Sequence, residues 1–175
     1  MAKKGLILLY TGNGKGKTTA ALGQTLRAAG HGFKIAIVQF IKNMDNTGEV
    51  KAAKKIFADH LEIHPMGTGF TWDAKDTEEL RRAAEKGWTL AKDKINSGRY
   101  SMVILDELTY PLNYGLLDQD EVVKFLKQKP DPLHVIITGR DASDQLIDLA
   151  DLVTEMKEIK HPYQKGVKAT KGIEY

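Results

Sequence analysis

The residues Thr11-Gly12-Asn13-Gly14-Lys15-Gly16-Lys17-Thr18-Thr19 carry the sharpest chemical signal in the chain. Closely spaced glycines let backbone N–H groups turn inward toward phosphate oxygens, and a helix starting at the end of such a loop adds positive potential. Lys17 supplies a point charge for phosphates, and the Thr18 hydroxyl is a ligand for Mg²⁺ or Mn²⁺. The usual pattern has Gly four residues ahead of Gly-Lys-Ser/Thr, and here Thr11 holds that first position. A second signal is Val103-Ile104-Leu105-Asp106-Glu107, two carboxylates closing an apolar run. A magnesium ion at such a loop needs further oxygen ligands. Asp106 could hold it through water, while Glu107 could ligate it directly or polarise a nucleophile; the sequence leaves these roles open. A third signal is the stretch Gly67-Thr68-Gly69-Phe70-Thr71-Trp72-Asp73. Aromatics in a glycine-rich loop either tuck into the core or face a ligand, and Phe70 and Trp72 facing outward would suit a large, flat, partly apolar substrate.

These groups need elements to hold them. Gly5–Tyr10 is a continuous apolar run, as expected of a strand buried on both faces, and Thr11–Gly16 follows as a turn. Lys17–Ala29 reads as a helix with Gly30 and Gly32 as stop signals. Lys34–Ile41 is a second strand and Leu61–Met66 a weaker third. Asp76 is placed to cap a helix with Glu79 at its third position, and Leu80, Ala84, Trp88, Ala91 and Ile95 recur at helical spacing. Tyr100–Leu105 reads as a strand, Asp118–Gln128 as a helix stopping before Pro130, His134–Thr138 as a strand, Ala142–Ala150 as a helix and Leu152–Met156 as a last strand. Strands alternating with helices predict an α/β fold of the P-loop NTPase, RecA-like kind, a mostly parallel sheet with helices on both faces. The residues from Lys160 onward show no period. A length of 175 residues, without linker-like clusters or repeats, predicts one nucleotide-binding domain over 1–175.

Composition excludes whole classes of chemistry. With no cysteine, disulfides, zinc–thiolate sites, iron–sulfur clusters and thiol catalysis are ruled out. No apolar run reaches membrane-span length, and the start of the chain shows no signal-peptide pattern, so a cytoplasmic protein without a membrane partner is expected. The net charge of +3 is too balanced to imply nucleic acid. Lys51, Lys54 and Lys55, together with Lys157, Lys160, Lys165, Lys168 and Lys171, read first as solvated surface. No Asn-Lys-x-Asp run favours guanine. The alternative reading is a RecA-like ATPase acting on nucleic acid, resting on Asp106-Glu107 and the basic excess.

The chain resembles the P-loop ATP:corrinoid adenosyltransferase family. The resemblance is carried by the Thr11–Thr19 loop, Arg27-Ala-Ala-Gly-His-Gly32, Val38-Gln-Phe-Ile-Lys42, Gly67-Thr-Gly-Phe-Thr-Trp72, Val103 through Tyr110, Val135-Ile-Ile-Thr-Gly-Arg140, and the stretch Gly166 to Tyr175. Thr at the first loop position is itself a feature of that family. The resemblance implies transfer of the 5′-deoxyadenosyl group of ATP to Co(I) of a corrinoid, with release of triphosphate. It casts Lys17 and Glu107 as catalytic groups, and Arg27 and Arg140 as candidate phosphate or ribose contacts. The corrinoid must then face the ribose, so ATP is expected in an orientation unlike that of phosphoryl-transfer enzymes.

The resemblance also gives Phe70 and Trp72 a specific task, excluding the lower axial ligand of cobalt(II) to ease its reduction. None of His31, His60, His64, His134 or His161 sits in the Asp-x-His-x-x-Gly pattern of cobalt-ligating proteins. No cysteine can relay electrons, and a reduced flavoprotein is the implied electron donor. Only Met1–Lys4 precede the first strand, less than in better-known members, which implies a more open corrinoid site or a cover from another element. One small domain holding both ATP and a bulky corrinoid predicts a homodimer with a shared site.

Overall fold

The computed structural model describes residues 4–43, 47–69 and 77–173. Six strands, β1 (Ile7–Thr11), β2 (Ile35–Gln39), β3 (Leu61–Pro65), β4 (Met102–Asp106), β5 (His134–Thr138) and β6 (Leu152–Glu155), lie in one sheet in the order β3-β2-β4-β5-β1-β6, and every pairing is parallel. The helices are α1 (Lys17–Gly30), α2 (Gly48–Ile56), α3 (Thr77–Asn96), α4 (Thr109–Asn113), α5 (Gln119–Lys127) and α6 (Asp144–Leu149).

Alternation along the strands sorts the core into two layers. Side chains at successive strand positions point to opposite faces. Leu8, Tyr10, Ile35, Ile37, Met102, Ile104 and Ile136 face one way, against Ala21, Ala28 and Ala29 of α1 and Ala53 of α2. Leu9, Ala36, Val38, Val103, Leu105, Val135 and Ile137 face the other, against Ala84, Trp88, Ala91 and Ile95 of α3, Val122, Val123 and Leu126 of α5, and Leu146 of α6. The small alanines of α1 let that helix approach the sheet closely, which fixes the loop at its N-terminus. Both faces are covered, as the apolar runs require.

The two sheet edges differ. At β3, Lys94 of α3 is buried and bonded to Glu62 and to the Tyr100 hydroxyl (2.5 and 3.0 Å), while His64 meets the same carboxylate at 3.2 Å. Burial would raise the pKa of Glu62, but hydrogen bonds from Lys94, Tyr100 and His64 outweigh it and hold the carboxyl at about 2. Charge and the closing Pro65 blunt this edge against further pairing. At β6 all four residues are exposed, Leu152 and Val153 among them.

The structure departs from the sequence reading in places. Thr11 extends β1, since it pairs with Glu155 of β6, and the turn begins at Gly12. The helices α2 and α4 are not signalled by a long apolar period. α2 buries one side in Val50 and Ala53, and α4 is held by its position directly after β4. Asp118 caps α5, accepting from Glu121 N at 2.9 Å, and Ser143 caps α6. The cap expected from Asp76 lies outside the described residues. Among the described residues, the stretch without a period contains one 3₁₀ turn, Pro162–Lys165.

Candidate active site

The ends of β1, β4 and β5 and the start of α1 converge on one carboxylate. Asp106 closes β4 and is 1% exposed. Its Oδ1 accepts from Thr18 Oγ1 and from Thr138 Oγ1, both at 2.8 Å, and its Oδ2 accepts from Gln39 Nε2 at 3.1 Å. β5 lies between β4 and β1 in the sheet, so Thr138 at its end stands between the two carboxylates and the P-loop. The same Thr138 hydroxyl accepts from the backbone N–H of Glu107 at 2.9 Å. One hydroxyl thus fixes both acidic residues. All three donors to Asp106 are neutral, so its hydrogen bonds leave room for a cation to balance the charge.

Glu107 follows at φ 62°, the left-handed region that non-glycine residues seldom adopt. Such backbone persists where the surroundings over-determine it, and here the Thr138 bond does so. Burial, and then the neighbouring Asp106, push the Glu107 carboxyl up to about 7, while Lys42, Lys17 and Arg140 pull the other way. Lys42 is bonded to Glu49 of α2 at 2.6 Å, which holds that ammonium at the end of β2.

The loop is built for close approach. Gly12 and Gly16 have φ of 93° and 112°. A Cβ on Gly12 would stand 2.5 Å from the Met156 carbonyl oxygen, and one on Gly14 would stand 2.8 Å from the Lys157 backbone. Thr11, by contrast, is extended and tolerates a side chain; its hydroxyl accepts from Ala142 N at 3.3 Å. That is the physical reason the first loop position needs no glycine here. Lys17 curls back over the loop, donating to Gly12 O and Gly14 O at 2.7 and 2.8 Å. Burial and then the Arg140 guanidinium lower its pKa. Asn13, Lys15 and Thr19 are exposed on the open side. Met156, just past β6, locks the far side: its N–H donates to Thr11 O at 2.8 Å and its carbonyl accepts from Gly14 N at 2.6 Å.

Of the residues singled out in the sequence, the structure brings together the loop, Lys17, Thr18, Asp106, Glu107 and Arg140. Arg140 stands just past β5; its carbonyl accepts from Asn113 Nδ2 at 3.3 Å and its charge acts on Lys17 and Glu107. The preceding Gly139 is packed so closely on Thr109 that no Cβ fits. Arg27 is exposed in the last turn of α1, bonded to Gln24, and roughly 13 Å along the helix axis from Thr18 at 1.5 Å per residue. The structure does not bring it to the loop. Phe70 and Trp72 lie outside the described residues. Gln39, Lys42 and Thr138 lie in stretches that carry the resemblance but, like Met156, have no site role from sequence; a lone polar residue closing an apolar strand is the signal that marks Gln39 and Thr138.

Chemically, the site offers backbone amides and two cations for polyphosphate, and oxygen donors for a hard cation. Among the described residues no group of three or more His, Cys, Asp or Glu stands ready to hold a metal. A cation here must take most of its ligands from waters and phosphate, which is how Mg²⁺ is usually held. One observation fits this: Gln39 Oε1 is buried beside Asp106 without a hydrogen-bond partner, an acceptor suited to a water on such an ion.

Comparison with known proteins bears on the same residues. The sequence matches the family described as ATP:corrinoid adenosyltransferase BtuR/CobO/CobP over residues 3–175. It is 48% identical over 174 residues to a corrinoid adenosyltransferase of Sinorhizobium sp, covering 99% of this chain and 81% of that one. It is 44% identical over 174 residues to a corrinoid adenosyltransferase of Escherichia coli K12, covering 99% and 87%, and 40% identical over 173 residues to one of Pseudomonas aeruginosa, covering 99% and 85%.

The electrostatics yield a prediction for the ligand-free protein. Glu107 has a pKa of 4.5 unperturbed and about 7 folded. The folded state therefore binds more protons than the unfolded state between these values, and stability falls as pH rises through that window. Glu107→Gln removes the penalty. Denaturant melts at pH 8 should show the variant more stable by up to about 3 kcal/mol, with the gap closing toward pH 4.5. A pH-independent gap would contradict the assignment.

Proposed function

The chain belongs to the ATP:corrinoid adenosyltransferase family and catalyses adenosyl transfer from ATP to a corrinoid, and from that premise we propose how its residues divide the work. Cobalt(I) of the corrinoid attacks C5′ of ATP. The cobalt–carbon bond forms with the cobalt electron pair, cobalt becomes formally Co(III), the C5′–O bond breaks, and triphosphate leaves with that bond's electrons. Negative charge grows on the leaving oxygens, and the protein's task is to have positive partners already in place.

The amides of the loop Thr11–Thr19 and the N-terminus of α1 hold the triphosphate. Lys17 leaves the carbonyls of Gly12 and Gly14 and turns to a phosphate oxygen, whose negative charge relieves the burial and the Arg140 repulsion that lower its pKa. Arg140 takes a second phosphate or the ribose edge. Thr18 and Asp106 are the residues that would hold Mg²⁺, with Glu107 adjoining and Gln39 behind. When bound, that ion offsets charge on the triphosphate. Glu107, carried by Thr138 and facing Lys17, Lys42 and Arg140, would ligate that ion or orient a water on it. The single observation that carries the reading is the Thr18–Asp106 bond at 2.8 Å, which joins the phosphate loop to a buried acid.

Phe70 and Trp72 press on the lower face of the corrinoid and keep its axial ligand away, and this rests on the family resemblance of their loop. A chain without cysteine draws its electrons from outside, and a reduced flavoprotein is the donor we assign. No described helix is long and apolar enough to cross a membrane. We place the enzyme in the cytoplasm, where ATP and reduced flavins are at hand. The bulk of the two substrates against a small α/β unit supports a homodimer.

Two experiments test this. Anaerobic incubation with ATP, Mg²⁺ and a Co(I) corrinoid should give the cobalt–carbon chromophore together with intact triphosphate, and Lys17→Ala should lower kcat by about 10²–10³. ADP and phosphate as the only products would overturn the reading. Separately, Phe70→Ala and Trp72→Ala should slow the reaction begun from Co(II) far more than the reaction supplied with Co(I). Equal losses in the two assays would assign both aromatics to the core.

A further inference from the structure

Charge along the chain is segregated around β6. Residues 141–156 hold Asp141, Asp144, Asp148, Asp151 and Glu155, all exposed, and no Lys or Arg. Residues 157–173 hold Lys157, Lys160, Lys165, Lys168 and Lys171, also exposed, against one acid, Glu158. Of 26 basic and 23 acidic residues in the chain, five and one fall in this second segment. The segment therefore carries +4; with Glu174, the stretch to Tyr175 carries +3, and the other residues, 21 basic and 21 acidic, balance.

Apolar exposure follows the same division. On the acidic side, Ile147 of α6 and Leu152 and Val153 of β6 are 40–43% exposed. On the basic side, Ile159, Tyr163, Val167 and Ile173 are 50–83% exposed. The basic segment is nevertheless locally built. His161 caps its 3₁₀ turn, accepting from Tyr163 N at 3.1 Å, and Gly166 closes the turn at φ 73°. A segment with its own turn, large exposed apolar groups and a +4 charge sits beside an open sheet edge of opposite sign that also shows apolar groups. The described residues of the same copy leave these apolar groups exposed, and Lys4 bonds Asp151 at 3.3 Å.

We propose that the 157–173 segment of one copy docks on the α6–β6 edge of a second copy, and the reverse, giving a two-fold dimer. Such an isologous contact needs a self-complementary surface, and one acidic apolar edge plus one basic apolar arm supplies it. The unguarded edge is β6, since β3 is blunted by Lys94, Glu62 and Pro65. The contact borders the nucleotide loop, because Met156, between edge and arm, holds Thr11 O and Gly14 N. Docking of the arm therefore steadies the far wall of the P-loop. This inference rests on the homodimer reading above and gives that dimer a surface.

The test is charge reversal on the full chain, read by sedimentation at micromolar concentration. The parent should be a dimer that weakens as salt rises from about 0.05 to about 0.5 M, where exposed charges are screened. K165E/K168E/K171E and D144K/D148K should each be monomeric. Mixed one to one, they should form a dimer again, because the reversed arm of one meets the reversed edge of the other, while the second contact pairs a native arm with a native edge; the mixed dimer also shows that both variants fold. Variants that stay dimeric, or a mixture that stays monomeric, would overturn the surface while leaving the dimer reading standing. A monomeric parent would overturn both. The adenosyl-transfer assay run on the same parent sample reports separately on the catalytic reading.

Discussion

The site depends on one buried carboxylate and the way it is shared. Asp106 receives hydroxyl and amide donors from α1, β5 and β2, three elements far apart in sequence. Hydrogen bonds to an ionised group are worth more than neutral ones, and burial raises the cost of losing any of them. The relative positions of the phosphate loop and the acidic strand end are therefore fixed before any substrate arrives. Parallel β-strands make this possible. Their C-terminal ends come to the same side of the sheet, and the order β4-β5-β1 sets Thr138 between the acid and the loop.

A second constraint is the balance of charge around Glu107. Two adjacent acids in a half-dry site repel, and Glu107 responds by holding its proton to about pH 7. Lys17, Lys42 and Arg140 partly compensate. Adding a triphosphate alone would move the balance toward negative, and adding a divalent cation would bring it back. Lys17 shows the same economy: it bonds loop carbonyls that it can exchange for phosphate oxygens. The strained φ of Glu107 and the glycine positions that exclude Cβ atoms lie at the same end of the sheet. Irregular backbone is concentrated where ligands must approach.

Much of this was legible in sequence because it is local. The P-loop is contiguous, so its glycines, Lys17 and Thr18 announce their chemistry and place a strand before and a helix after. The apolar runs read at Lys34–Ile41, Tyr100–Leu105 and His134–Thr138 announce a parallel sheet for the same reason. What was illegible depends on pairing across the sheet. Thr138 matters because β5 lies beside β4, and Gln39 because β2 does; each strand shows the polar residue that closes it, but not which strand it will stand beside. Met156 matters because β6 returns beside β1. α2 and α4 are short and lean on neighbours, so their own period is faint. Arg27 shows the opposite case: a motif residue near the loop in sequence is carried about two and a half turns of helix away from it.

The central claim is that Thr18 and Asp106 act as one unit that joins the phosphate loop to the acidic strand end. A double-mutant cycle on adenosyl transfer from ATP to a Co(I) corrinoid tests it most directly, using Thr18→Val, Asp106→Asn and the double variant. Residues acting as a unit give non-additive losses. The account predicts that the double variant loses little more in kcat/KM than the worse single variant. Losses that multiply in the double variant would show two independent groups and contradict it.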